Sequence, residues 1–215
     1  GAFGLAVAPD GGVFVTEWYQ GRLIRLDADL RETWSVPTGK APAGVATDGA
    51  LVATADRDDD QVSIYDAGTG ALRARVAVGR HPYAVLFHGG RIWTADVQSD
   101  TVSVIDPQAG RLIGQVPTGS HPYGVAFAGG RGFVTDQYAG TVTVFDPETL
   151  KAIETLETGD YPEGIAALPD GSGVVVAHWD SNTLVWIDAA SLKITREIAL
   201  PDGPRAFGAF TGRRR

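Results

Sequence analysis

The chain has 215 residues, 44% of them hydrophobic and 20% charged, a balance ordinary for a globular protein and sufficient to bury a core. Its formal net charge of −8 repels a phosphate backbone, and the one basic run is the terminal Arg213, Arg214 and Arg215, so nucleic acid is excluded as a partner. No apolar stretch is long enough to make a membrane helix, and no cysteine is present to make a disulfide.

Read from its start, the chain opens on the apolar run Phe3-Gly4-Leu5-Ala6-Val7, turns at Pro9-Asp10-Gly11-Gly12 and continues through Val13-Phe14-Val15-Thr16 to Glu17 and Trp18. The phrase then recurs. Glycines stand at Gly39, Gly79, Gly119 and Gly159, each 40 residues after the last, and prolines keep the same step at Pro42, Pro82, Pro122 and Pro162. The repeats run 1–39, 40–79, 80–119, 120–159 and 160–203, followed by a terminal strand over 204–210 and a basic tail over 211–215.

In the fourth copy, strand-forming runs cover 124–127, 132–135, 141–145 and 152–156. Between them lie Ala128-Gly129-Gly130, Tyr138-Ala139-Gly140 and Asp146-Pro147-Glu148, all with turn chemistry. Each copy therefore reads as a four-stranded meander. A lone meander cannot bury both faces, whereas several stacked radially can, so the fold class expected is all-β, a β-propeller of four-stranded antiparallel blades with five repeats visible. Phe207 lies in an apolar run, Ala206 to Phe210, that repeats the opening strand with no partner, and methionine is absent throughout. Together these give the expectation that the chain is the C-terminal part of a six- to eight-bladed ring; the alternative is a ring of five blades with a redundant strand.

The phrases Gly132-Phe133-Val134-Thr135-Asp136, Thr101-Val102-Ser103-Val104-Ile105-Asp106 and Gly119-Ser120-His121-Pro122-Tyr123-Gly124-Val125 closely resemble the bacterial YVTN-type β-propeller repeat, over nearly the whole chain. The resemblance implies a periplasmic or secreted binding or scaffold protein. The first copy, from Pro9 to Trp18, also resembles the repeats of streptogramin lyases and related propellers, which use Glu and His around a central metal.

Standard catalytic signatures are few. Gly129-Gly130-Arg131-Gly132 and Pro169-Asp170-Gly171-Ser172-Gly173 both read as hairpin turns rather than a phosphate cradle or a nucleophile elbow. Asp56, Asp58 and Asp60 stand like the opening of a calcium loop, but Gln61 replaces the required glycine, and an exposed turn is expected instead. At the end of the second strand, the copies carry Glu17, Asp56, Asp96, Asp136 and His178. The YVTN-type consensus has asparagine there. A ring of such groups is a candidate site for a divalent metal, no cofactor being certain; the competing reading is that each caps its own turn through backbone hydrogen bonds. On the same expected rim, His81, Tyr83, His121 and Tyr123 sit in blade-linking segments, while Trp18 and Trp179 adjoin it, making a candidate ligand site. Trp93 and Trp186 are expected in the core between blades.

Three functions follow. The leading one is a non-enzymatic extracytoplasmic propeller presenting one rim to a small ligand, a metal or a protein partner. The second, implied by the lyase resemblance, is a metal-dependent lyase or lactonase with Glu17 and His178 as metal or acid–base groups and Asp96 and Asp136 in support. The third is an accessory subunit of a quinone-cofactor dehydrogenase.

Overall fold

Runs such as Gln61-Val62-Ser63-Ile64-Tyr65-Asp66 concentrate β-branched and aromatic residues between turn formers, and they recur four to a repeat. A computed structural model describes residues 1–206, 208 and 210–212, and among these the runs form antiparallel sheets of four strands. The first sheet holds β1 (Ala2–Val7), β2 (Val13–Glu17), β3 (Arg22–Leu26) and β4 (Glu32–Pro37); the second holds β5 (Pro42–Thr47), β6 (Leu51–Asp56), β7 (Gln61–Asp66) and β8 (Leu72–Ala77). The third holds β9 (Pro82–His88), β10 (Arg91–Asp96), β11 (Thr101–Asp106) and β12 (Arg111–Pro117), and the fourth β13 (Pro122–Ala128), β14 (Arg131–Asp136), β15 (Thr141–Asp146) and β16 (Lys151–Glu157). The fifth holds β17 (Pro162–Ala167), β18 (Gly173–His178), β19 (Thr183–Asp188) and β20 (Ile194–Ala199). Every sheet is a meander in chain order, drawn from one repeat.

The chain divides into two compact units, residues 1–99 with 103–114 and residues 100–102 with 115–215. In the first unit, Phe14, Leu23, Val45, Val52 and Tyr65 form one buried cluster, and Ala53, Val62, Ile64, Val85, Ile92 and Ile105 form another. In the second unit, Phe133, Val142, Val144, Ile165, Val174, Val176, Val185 and Ile187 are buried together. These clusters lie between successive sheets, so each blade gains its core only by stacking on a neighbour. Close approach of the innermost strands has a sequence cause. A Cβ on Gly124 would lie 2.9 Å from the Glu163 carbonyl, and one on Gly44 would lie 2.5 Å from that of Tyr83. The outermost strands are exposed; β16 keeps Lys151, Glu154 and Glu157 on a free edge, charges that discourage strand addition.

Three sequence expectations are corrected. Asp56 is not part of an exposed turn; it is fully buried at the end of β6, ahead of a short 3₁₀ turn at Arg57–Asp59. Trp93 is buried as expected, but Trp186 is only half-buried, under the Arg196 guanidinium 4.9 Å from its ring centroid. The terminal strand expected over 204–210 is absent from its described residues, Pro204 to Ala206, Gly208 and Phe210. Gly203 and Pro204 repeat the left-handed residue and the proline that open β5, β9, β13 and β17, but among the described residues no second strand pairs with this stretch. The Ala206 carbonyl still packs on Gly164, as the Glu163 carbonyl packs on Gly124. Phe207, Ala209 and the basic run Arg213 to Arg215 lie outside the described residues.

Candidate functional site

At the end of the second strand in the second to fifth repeats, an ionisable side chain meets the loop that enters the blade. Asp56 accepts hydrogen bonds from Thr54 at 2.8 Å on Oδ1 and from Ser63 at 2.5 Å and Gln61 at 3.1 Å on Oδ2. Asp96 accepts from Ser103 at 2.6 Å, and Asp136 accepts on Oδ2 from Thr141 at 2.8 Å and Thr143 at 2.7 Å. All three carboxyl groups are fully buried. Burial pushes the Asp136 carboxyl up to about 6 and raises that of Asp56, against the pull of the hydroxyl donors. The repeat glycines serve this arrangement: a Cβ on Gly39 would sit 2.7 Å from the Asp56 carboxylate, and one on Gly119 would sit 2.7 Å from that of Asp136. The donors to all three include side chains of the same blade, whereas the capping reading had the backbone of the acid's own turn.

Glu17 differs, lying partly exposed in an ion pair with Arg22 at 2.5 Å. His178 differs again. It is fully buried, neither ring nitrogen has a hydrogen-bond partner, and burial holds the imidazole down at about 4. The Thr183 backbone favours the charged form slightly without making a hydrogen bond of good geometry. Among the described residues, no three His, Asp or Glu side chains gather in a way that would hold a metal ion.

The loops entering the blades share an unusual backbone. Ala41, His81, His121 and Tyr161 all adopt left-handed φ values, of 49°, 53°, 57° and 52°. Acids hold two of them: Asp60 Oδ1 accepts the His81 N–H at 2.8 Å and Asp100 Oδ1 accepts the His121 N–H at 2.8 Å, while Asn182 Oδ1 accepts the N–H of Gly203, itself left-handed, at 2.7 Å.

Two aromatic groups result. In the first unit, Phe3 packs on Trp18 at 4.7 Å between ring centroids and edge-on against Tyr83 at 5.6 Å, and Arg57 lies 5.5 Å from the Trp18 ring. Beside them an open cleft of about 310 Å³ is lined by Trp18, Tyr19, Lys40 and Asp59. In the second unit, His121 stacks on Tyr138 at 3.8 Å and 18°, Tyr138 meets Tyr161 edge-on at 5.7 Å, and Tyr161 meets Trp179 at 5.6 Å. Arg205 covers Trp179, its guanidinium 4.8 Å from the ring centroid. Tyr138 is 60% exposed and Trp179 38% exposed, so this row faces solvent.

Of the rim candidates, the structure places Trp18 and Tyr83 in the first aromatic group and His121 and Trp179 in the second. His81 is half-buried and makes its Asp60 contact through the backbone, and Tyr123 is half-buried in β13. Sequence reading missed Tyr138, Tyr161, Arg205 and the pair formed by Gln137 and Glu163, whose side chains meet at 2.6 Å. The register contained the signal for one of them: Pro82-Tyr83 and Pro122-Tyr123 become Pro162-Glu163 in the fifth repeat, and Glu163 is 2% exposed.

No family model matches the sequence, and no curated protein matches it. Among solved structures the chain is similar to Kuenenia stuttgartiensis hydrazine synthase, a β-propeller protein, with a TM-score of 0.82 at 18% sequence identity over 90% of this chain. The chain spans 65% of the length of that one. A likeness at this identity shows the fold, so the five four-stranded sheets are blades of the β-propeller class.

Proposed function

We propose that the protein is a non-enzymatic, extracytoplasmic β-propeller that binds a ligand or a protein partner at the loop end of its blades. The observation that carries the reading is the row His121, Tyr138, Tyr161 and Trp179, in which the left-handed His121 is held by the Asp100 carboxylate and the left-handed Tyr161 by the Trp179 backbone N–H on its carbonyl. Rigid aromatic side chains on fixed loops supply contact area at little entropic cost, which is what a recognition surface needs. The YVTN-type resemblance supports the same reading and the location outside the cytoplasm. A metal-dependent lyase would need Glu17 and His178 free to act, whereas Glu17 is paired with Arg22 and the His178 ring is sealed from solvent.

The test is calorimetric titration of defined peptides and oligosaccharides into the protein and into Tyr138→Ala. The reading expects that a bound ligand is lost or weakened about tenfold in the variant, with thermal stability unchanged. Ligands that bind both proteins equally, or turnover that survives Tyr138→Ala and disappears in His178→Asn, would overturn it.

A further inference from the structure

The Glu163 carboxylate, in the second unit, has no hydroxyl donors of the kind that Asp136 has. Glu163 is 2% exposed at the second residue of β17, where Tyr83 and Tyr123 stand in the preceding repeats. Its Oε1 accepts the Gln137 amide at 2.6 Å, but Oε2 is buried and has no hydrogen bond. The single cation near Oε2 among the described residues is Arg205, whose Nε lies 3.5 Å away. The same guanidinium rests on the Trp179 ring, yet the Arg205 side chain remains 51% exposed. It stands in a stretch, Gly203 to Ala206, without regular strand structure. A buried carboxylate oxygen without a hydrogen bond is costly, and a loosely seated guanidinium satisfies it only in part. The neighbouring loop acids Asp160 and Asp180, both exposed, add negative potential.

We infer that Glu163 and Trp179 form a receptor for a guanidinium group, filled in this chain by its own Arg205 and filled on binding by an arginine side chain of a peptide or protein partner. The inference rests on the proposal that the loop end is a binding surface, and it names the chemistry bound there. A guanidinium is planar, so it can lie against an indole face while directing two parallel N–H donors at one carboxylate; an ammonium cannot do both. Arg205 has only its Nε near Glu163 and leaves Oε2 without a hydrogen bond. A ligand free to orient itself can supply that bond. Because Arg205 is tethered, it competes at high effective concentration, and the seat opens to a partner only when the Gly203 to Ala206 stretch moves aside.

The test is an NMR titration that follows the Trp179 indole N–H, assigned with Trp179→Phe, during addition of N-acetyl-L-arginine amide at constant ionic strength. In Arg205→Ala the shift should saturate, with affinity at least about fivefold higher than in the unaltered protein, where Arg205 competes. Adding Glu163→Gln to Arg205→Ala keeps the side-chain shape and should weaken binding about tenfold or more. N-acetyl-L-lysine amide should bind several-fold more weakly than the arginine compound. Arg205→Gln repeats the first arm should the alanine variant lose its dispersed spectrum. Absence of a saturable shift in both Arg205 variants, equal affinity in the Glu163→Gln background, or equal affinity for the lysine compound would overturn the inference. A ligand whose binding depends on Tyr138 but not on Glu163 would overturn it while leaving the wider proposal standing.

Discussion

Asp136→Asn should make the protein more stable at neutral pH and leave it nearly unchanged in acid. The Asp136 carboxyl is fully buried, and burial lifts it from its ordinary 3.8 to about 6. A group whose folded value is raised contributes stability that is fully present below the unfolded value and lost as pH rises through the folded one. Above pH 6 the ionised carboxylate therefore costs the folded state about 3 kcal/mol relative to its protonated form. An asparagine keeps an acceptor for the Thr141 and Thr143 hydroxyls on Oδ1 and carries no charge to desolvate. Its amide takes the place of Oδ1, and the change of the stability difference with pH, not its absolute size, reports the desolvation of the carboxylate. Urea unfolding of both proteins at pH 4 and pH 7.5 isolates the effect, since all other titrating groups are common to the two. The difference in stability should move by about 2 kcal/mol in favour of the variant on going from pH 4 to pH 7.5. A pH-independent difference would refute the desolvation argument, and a difference of opposite slope would mean that the hydroxyl donors outweigh burial.

His178 should show the reverse slope. Its folded value is depressed to about 4, so the stability from keeping it neutral is present above 6.5 and lost as pH falls from 6.5 to 4; His178→Phe should gain about 2 to 3 kcal/mol on the unaltered protein between pH 7.5 and pH 4.5, by the same unfolding assay. Asp100 holds the left-handed entry of His121, so Asp100→Ala should cost about 1 to 2 kcal/mol, whereas Asp100→Asn, the residue type that Asn182 already supplies in the fifth repeat, should stay within about 0.5 kcal/mol. Leu30 has a φ of 62° and a side chain 67% exposed, so Leu30→Gly should stabilise by about 0.5 to 1 kcal/mol through relief of the left-handed strain, read as a shift in the urea midpoint.

The blades were legible because their causes are local. Strand runs of alternating or β-branched residues, separated by glycine and proline at fixed offsets, place β13 to β16 within one or two residues of their positions in the structure. The equivalence of Asp56, Asp96 and Asp136 was also readable, but their direction was not. Whether a carboxyl at a strand end faces a channel or turns back on its own blade depends on Ser63, Ser103 and Thr143 across the third strand, seven residues later. Their placement opposite the acids follows from register, a long-range property of the sheet. The aromatic row was half legible for a related reason: His121 and Trp179 stand out by repeat position, but Tyr138 joins them through a turn, and Tyr161 replaces a histidine.

The fifth repeat departs from its predecessors at three equivalent places. Tyr161 stands where His81 and His121 stand, Glu163 where Tyr83 and Tyr123 stand, and His178 where Asp56, Asp96 and Asp136 stand. In the second to fourth repeats, the residue at the third of these places satisfies its polar groups mainly within its own blade. His178 does not, having two buried ring nitrogens without partners, and Glu163, bonded like Asp136 on one oxygen, takes its donor from the fourth repeat. Such departures cost stability locally, so a repeat protein under selection for fold alone would lose them to the pattern of its neighbours. They lie together with the exposed Trp179 and the half-exposed Arg205 in the second unit. A buried imidazole without ring partners and a buried Glu163 bonded on one oxygen, beside the exposed Trp179, fit a binding site better than a blade kept for packing alone.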